Sequence, residues 1–378
     1  MSWENVIGQN KSKAIIRFAL LSGRIPHAWL FSGTEGIGKD AMAIETAKIL
    51  LCNNQLDNKI SCGECRSCKL VSKLQHPNLK FIFALPPGKN EDGRNDGPFL
   101  KLNDSEISLI QEQIVLKAED NYHKISIPKA HQIKISSIRE VKKDISFSSS
   151  EPGKRIIIIS DADKMGDESA NAFLKTLEEP SKDTLIILTT SNKDRLLPTI
   201  VSRCQEVRFN LLSDEEINNV LIEKYKTNST EALLYSKLSG GSLTKALELK
   251  NGENISTLRN DVVSFLRASL RKSPLALYTE IDRVSNGSDK SRIEKFLILL
   301  LIWMRDIYSI KNLNNETKLV NQDQIPEINS FNSNFPKSNI KEIINNIDKS
   351  ITAIKFNVQP TLVLTNLGLS IEQYCFNK

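Results

Sequence analysis

Long apolar runs are missing from this chain of 378 residues. The longest, Phe296 to Met304, stops at Arg305 and Asp306, far short of the roughly 20 residues that a membrane-spanning helix needs. A buried helix is the reading that fits, and no membrane partner is expected. The opening residues, Met1 to Val6, show neither a charged leader nor an apolar signal core, so a cytoplasmic protein is expected. Cysteine is sparse at 6 residues. In a reducing compartment these are expected as thiols or metal ligands rather than as disulfides. Neither sign of charge dominates: 51 Lys and Arg against 45 Asp and Glu leave a formal +6. That mild excess is compatible with nearness to nucleic acid and does not establish it. What remains is ordinary for a globular protein, with 40% hydrophobic and 25% charged residues, and the length suits two or three domains.

The most informative absence is a single hydroxyl. Residues 33 to 40 read Gly33, Thr34, Glu35, Gly36, Ile37, Gly38, Lys39, Asp40. The phosphate-loop pattern GxxxxGK[ST] wraps backbone N–H groups around phosphates, sets a lysine on the terminal phosphates and places a hydroxyl on Mg²⁺. Gly33, Gly36, Gly38 and Lys39 are in place, but Asp40 stands where the hydroxyl belongs. Its carboxylate would lie close to the nucleotide's own negative charge. The flanks are those the pattern requires: an apolar strand at Ala28 to Phe31, then a helix from Asp40 to Leu51 with Met42, Ile44, Ala47, Ile49 and Leu50 apolar. A helix is also expected over Lys13 to Leu21, ending before Pro26.

A second constellation follows that helix. Cys52, Cys62, Cys65 and Cys68 bring four of the six cysteines into one short stretch. That spacing lets four thiolates converge on one tetrahedral ion, with Gly63 allowing the tight turn. No histidine lies inside the cluster, so the shell is closed and leaves no position for catalysis. Structural Zn²⁺ is the first expectation and an iron–sulfur cluster the second. His76, alone before Pro77, reads as a turn or packing residue.

Farther on, a strand is expected over Lys80 to Leu85, a polar loop over 86 to 104, and helices from Ile107 to Lys117 and from Ile135 onward. Glu151 and Pro152 suit a turn. Arg155 to Ser160 is a continuous apolar run ending at Asp161, as in a strand of a parallel sheet buried on both faces. Asp161 would face a bound Mg²⁺. The acid that should follow, to polarise the attacking water, is replaced by Ala162, and Asp163 is expected to point elsewhere. A helix over Glu168 to Glu179 stops at Pro180. Strands are expected at Leu185 to Asn192 and Glu206 to Phe209. Beyond residue 211 the pattern becomes helical, broken at Gly240 and Gly241, with a loop expected over 311 to 338.

Taken together these motifs resemble one family, the bacterial DNA polymerase III clamp-loader subunits of the AAA+ ATPase superfamily. The likeness spans residues 1 to about 250. It rests on Trp3 to Gln9, on Ala170 to Pro180, on Ser202, Arg203 and Cys204 occurring together, and on a cysteine module in the place where the family has its zinc module. The last 130 or so residues are similar only in being helical. The resemblance implies that Arg203 is an arginine finger, reaching ATP on a neighbouring subunit to stabilise the transferring phosphoryl group. It also implies an arginine after a Gly–Ser pair, where this chain has Thr244 beside Lys245. Asp40, Ala162 and Thr244 together set the chain nearer the delta-prime branch than the ATP-hydrolysing gamma/tau branch.

The expected architecture is α/β: an AAA+ parallel-sheet domain over 1–210 carrying a zinc module at 52–68, a small helical lid over 211–250, and an all-α collar over 251–378. The expected role is that of a largely rigid subunit in an assembly that loads sliding clamps onto primed DNA. Its partners would be the gamma/tau and delta subunits, with clamp and DNA met through the complex, and Mg²⁺ and ATP binding in its own loop doubtful. Two other readings stay open, a motor that hydrolyses ATP itself and a stand-alone zinc-containing nucleic-acid binder.

Overall fold

The computed structural model describes residues 3, 5–56, 60–88, 97–100, 102–146, 153–179, 183–252, 255–285, 290–313 and 319–376. Most of the loop expected at 86–104, the turn at Glu151 and Pro152, and Pro180 lie outside the described residues. The chain divides into two compact units, one of Met1–Val220 with Gly241–Lys245, the other of Leu221–Gly240 with Ala246–Lys378.

The first unit is built on five strands, β1 Ala28–Ser32, β2 Leu79–Ile82, β3 Arg155–Ile159, β4 Thr184–Thr190 and β5 Gln205–Arg208. They form one sheet in the order β2-β3-β4-β1-β5, and every pairing is parallel. β1 and β4 are buried along their whole length and β3 along all but its first residue. Covering both faces of a parallel sheet demands such unbroken apolar runs. Its helices are α1 Asn10–Ser22, α2 Lys39–Leu50, α3 Arg66–Ser72, α4 Asp104–Glu119, α5 Ile135–Ser146, α6 Asp167–Glu178, α7 Pro198–Val201 and most of α8 Asp214–Glu223. One core packs Leu30, Ile157, Ile159 and Leu188 of the sheet against Ile138, Val141, Phe173 and Leu177 of α5 and α6.

β2 is shorter than the sequence pattern indicates. After Ile82 the chain leaves β3, and Phe83 and Leu85 turn into a separate core with Leu102, Ile110 and Ile127. α1 covers the expected Lys13–Leu21 and begins three residues earlier; Gly23 takes a left-handed conformation (φ 71°) and its N–H caps Leu20 O.

Because the strands run parallel, their carboxyl ends share one edge. The glycine loop after β1, Asp161 after β3 and Ser191 after β4 therefore meet there, where sheets of this kind hold ligands. The opening segment braces that edge. Gln9 donates to Ile37 O at 3.1 Å and to Asn210 O at 2.6 Å, and accepts from Asn210 N at 3.1 Å.

The second unit is helical. It takes in α9 Ser229–Leu238, most of α10 Leu243–Asn251, α11 Ile255–Leu270, α12 Pro274–Ser285, α13 Lys290–Leu313, α14 Ile325–Asn334, α15 Ile340–Lys355 and α16 Pro360–Phe376. The run Phe296–Met304 lies inside α13, where Phe296 meets Phe265 edge-on at 5.5 Å between ring centres. No helix among the described residues is long and apolar enough to cross a membrane. Two buried carboxylates organise this unit. Asp261 lies between Arg283 (3.1 Å) and Arg292 (3.3 Å), and Asp306 accepts from the backbone of Val320 and Asn321.

The loop expected over 311–338 needs correcting, since α14 occupies Ile325–Asn334. Its Asn and Ser content masks the pattern Ile325, Ile328, Phe331. Ile328 and Phe331 are buried, and Phe331 packs on Trp303 at 5.8 Å. Pro326, near the helix start, fixes φ where no N–H is needed.

Phe173 of α6 is fully buried in the core that the helix forms with the sheet. Phe173→Ala should lower its unfolding free energy by about 3–5 kcal/mol, read as a shifted urea midpoint. A loss under about 1 kcal/mol would mean the core closes around the gap instead.

Candidate functional site

The glycine loop has the backbone shape of a phosphate loop. Gly33, Gly36 and Gly38 have φ of 146°, 78° and 99°, values that side-chain-bearing residues adopt only with strain. Space requires glycine as well. A Cβ on Gly38 would come within 2.5 Å of the Tyr122 hydroxyl, and one on Gly36 would collide with Ser242 and Thr244.

The loop's charged groups are satisfied by the protein itself. Lys39 is buried, and its ammonium donates to Gly33 O and Thr34 O, both at 2.7 Å, and to Ser191 Oγ at 3.2 Å. Each of its three protons thus has an acceptor, two in the loop and one just after β4. Burial lowers its pKa, and the carboxylates of Asp40, Asp161, Glu35 and Asp163 only partly offset this.

Asp40 lies in the first turn of α2, where the helix dipole favours an anion. Its Oδ1 accepts from Thr189 Oγ1 at 2.7 Å, its Oδ2 accepts from Ser160 Oγ at 2.8 Å, and Lys117 Nζ of α4 stands 3.1 Å away. Burial alone would raise the Asp40 pKa. The Lys117 ammonium and the two hydroxyls outweigh it and hold the carboxyl below its ordinary value. Lys117, itself buried, also donates to His123 O at 2.9 Å. A fixed ammonium thus faces the residue that stands at the metal-binding position of the pattern.

Asp161 lies at the end of β3 with a left-handed backbone (φ 50°), its Oδ2 accepting from Lys164 Nζ at 2.8 Å. Ala162 is wholly buried. Asp163 turns toward the end of β4, accepting from Thr190 Oγ1 at 2.6 Å and Ser191 N at 3.2 Å. Thr244 Oγ1 donates to Tyr122 O at 2.9 Å, and the Tyr122 hydroxyl accepts from Ile7 N at 2.9 Å. Lys39, Asp40, Lys117, Tyr122, Asp161 and Thr244 line one cleft.

Lys117 and Tyr122 escaped the sequence reading. Lys117 had a legible signal, since Ile110, Ile114 and Lys117 follow the i, i+4, i+7 spacing of one helix face. Tyr122 had none, being one aromatic in a polar stretch.

The four cysteine sulfurs lie within 4.8 Å of one another, and the contacts Cys52–Cys62, Cys62–Cys68 and Cys52–Cys65 measure 3.6, 3.9 and 4.0 Å. Tetrahedral coordination with metal–sulfur bonds of about 2.3 Å requires sulfur–sulfur edges of about 3.8 Å, and a disulfide needs about 2.05 Å. The set therefore fits one four-coordinate metal ion. Backbone amides support thiolates here: Cys62 N donates to Cys52 Sγ at 3.3 Å, Cys65 N to Cys62 Sγ at 3.4 Å and Cys68 N to Cys65 Sγ at 3.4 Å. Burial would raise Cys65, but the amide and thiol donors around it win and bring it to about 6. Burial raises the Cys52 and Cys68 thiols. His76 stays apart from the sulfurs, its Nε2 at 2.7 Å from Ser67 Oγ and its Nδ1 accepting from Asn78 N.

Arg203 joins a different group. Its Nη1 donates to Thr199 O at 3.0 Å and its Nη2 to Glu178 Oε1 at 2.9 Å, with about a third of the side chain exposed.

The Asp40–Lys117 pair makes two tests. Asp40→Thr leaves a buried ammonium without its carboxylate and should destabilise the first unit by about 3 kcal/mol, with most of that regained on adding Lys117→Met. Equal stability of wild type and single variant in urea unfolding would contradict the pairing. The sign with pH follows from the lowered folded-state value. Asp40's contribution is complete above the ordinary value of 3.8 and is lost as pH falls through its lower folded value. Asp40→Asn should therefore flatten the acid limb of the stability profile.

Comparison with known proteins agrees over both units. The sequence pattern of the family described as "DNA polymerase III, delta subunit" matches residues 8–213, and that of its C-terminal part matches residues 257–373. The chain is 29% identical over 306 residues to the DNA polymerase III subunit delta' of Bacillus subtilis, covering 81% of this chain and 78% of that protein. It is 30% identical to the Escherichia coli subunit delta' over 62% of this chain and 57% of that one. It is 28% identical to the DNA polymerase III subunit gamma of Buchnera aphidicola over 66% of this chain and 57% of that one. With both parts of the family's sequence pattern matched, the chain belongs to the DNA polymerase III delta-subunit family.

Proposed function

We propose that this chain is the delta-prime subunit of a bacterial clamp loader, a cytoplasmic, largely rigid member of the assembly that loads sliding clamps onto primed DNA. It gives Arg203 in trans to ATP held by a neighbouring subunit and does not hydrolyse ATP itself. Its partners are the gamma/tau and delta subunits, and DNA and clamp are met through the complex, DNA mostly at its backbone. The observation that carries this reading is the pairing of Asp40 with Lys117, which sets an ammonium at the position where the pattern needs a metal. Hydrolysis needs a metal, an acid to orient water and room for the phosphates. Here an ammonium faces the metal-binding position, Ala162 replaces the acid, and Tyr122 lies against the loop. The motor reading would require Lys117 to leave Asp40.

The same proposal keeps Zn²⁺ as the ion of the cysteine set, since four thiolates suit it and a closed shell suits a structural role. It also keeps the three-part division of the chain, with 211–250 as a lid and 251–378 as the collar through which subunits associate.

Three measurements follow. The pure chain should show no ATP turnover above background, and turnover abolished by Lys39→Ala would establish the motor reading instead. Arg203→Ala should leave folding and metal content unchanged and slow clamp loading by the reconstituted assembly. At the single site served the loss is on the order of a thousandfold, and Lys should not fully rescue it because it lacks the planar fork. Equal loading rates, with assembly confirmed, would show Arg203 to be only structural. Elemental analysis of protein purified without chelator should find about one equivalent of zinc per chain, lost in Cys65→Ser together with local folding. Absence of zinc from the wild type would remove it from the account.

A further inference from the structure

Glu178 and Glu179 close α6, at the end of a helix where the dipole is negative and a carboxylate is least favoured. Glu178 is compensated there by Arg203, whose Nη2 lies 2.9 Å from its Oε1. The other arm of the guanidinium, Nη1, reaches the Thr199 carbonyl of α7 at 3.0 Å. Two elements, α6 and α7, thus hold both terminal nitrogens of one arginine. Arg203 and Glu178 remain 36% and 48% exposed. A guanidinium carries five N–H donors, so these two hydrogen bonds orient it without exhausting it.

We propose that Glu178 is a positioning residue for Arg203. It selects the side-chain conformation in which the remaining N–H donors point out of the subunit, toward phosphoryl oxygens of a nucleotide held by the adjacent subunit. The inference rests on the arginine-finger reading above and extends it to a residue that the motif pattern does not single out. The opposite role, a lock withholding Arg203, is the weaker reading. An exposed ion pair biases an equilibrium by a factor of only about 2 to 5, too little to keep an arginine from a triphosphate. The same factor is enough to favour one conformer of a long, flexible side chain.

The test uses the reconstituted assembly carrying Glu178→Gln, Arg203→Ala or both, with incorporation of each variant confirmed. Glu178→Gln keeps the shape of the side chain and removes its charge. At saturating ATP it should slow clamp loading about 2- to 5-fold, with the ATP concentration for half-maximal rate unchanged. That effect should vanish in the Arg203→Ala background, and Glu178→Asp should restore part of it. A purely structural role for Glu178 would give the same loss with or without Arg203 and would overturn the proposal. So would an unchanged or faster rate in Glu178→Gln when Arg203→Ala is slow. If Arg203→Ala itself loads at the wild-type rate, the finger reading falls and this inference falls with it.

Discussion

A carboxylate at the foot of an anion-binding loop must be neutralised, and the 3.1 Å contact between Asp40 and Lys117 does this. In a working nucleotide site the cation is a metal that arrives with the phosphates. Here it is an ammonium delivered permanently by α4. The carboxylate is thereby paired within the chain itself. Thr189 and Ser160 complete the shell around Asp40, and Lys39, which would otherwise reach phosphates, satisfies its protons on Gly33, Thr34 and Ser191. Tyr122 and Thr244 line the same cleft.

Outside this loop, two other groups of side chains bear on the proposed role. Arg203 is held between α6 and α7, on Glu178 and Thr199, with about a third of its side chain exposed. The cysteine set stands apart from both. Its four sulfurs surround one position with no open coordination site, so any metal there stabilises α3 and the turn before it and performs no chemistry.

Much of this was legible in the sequence because the signals are local. The apolar run from Arg155 reads directly as a buried parallel strand, and the glycines and Lys39 read as a phosphate loop. The cysteine spacing alone brings four sulfurs together. What the sequence hid is what depends on contacts between distant segments. Lys117 is 77 positions after Asp40 in the chain (117 − 40), and nothing in either segment announces the other. α14 was hidden for another reason, its Asn and Ser content disguising three apolar positions on one face. β2 ends early because a second core captures Phe83 and Leu85, a tertiary competition that strand periodicity does not register.

In this loop Asp40 is neutralised by Lys117 rather than by a metal. Isothermal titration of the pure chain with ATP, in the presence and absence of Mg²⁺, tests it most directly. The account predicts no Mg²⁺-dependent binding heat at any accessible nucleotide concentration. Saturable binding that requires Mg²⁺, tightens in Lys117→Met and is lost in Lys39→Ala would contradict it, because the metal would then be displacing the ammonium from Asp40.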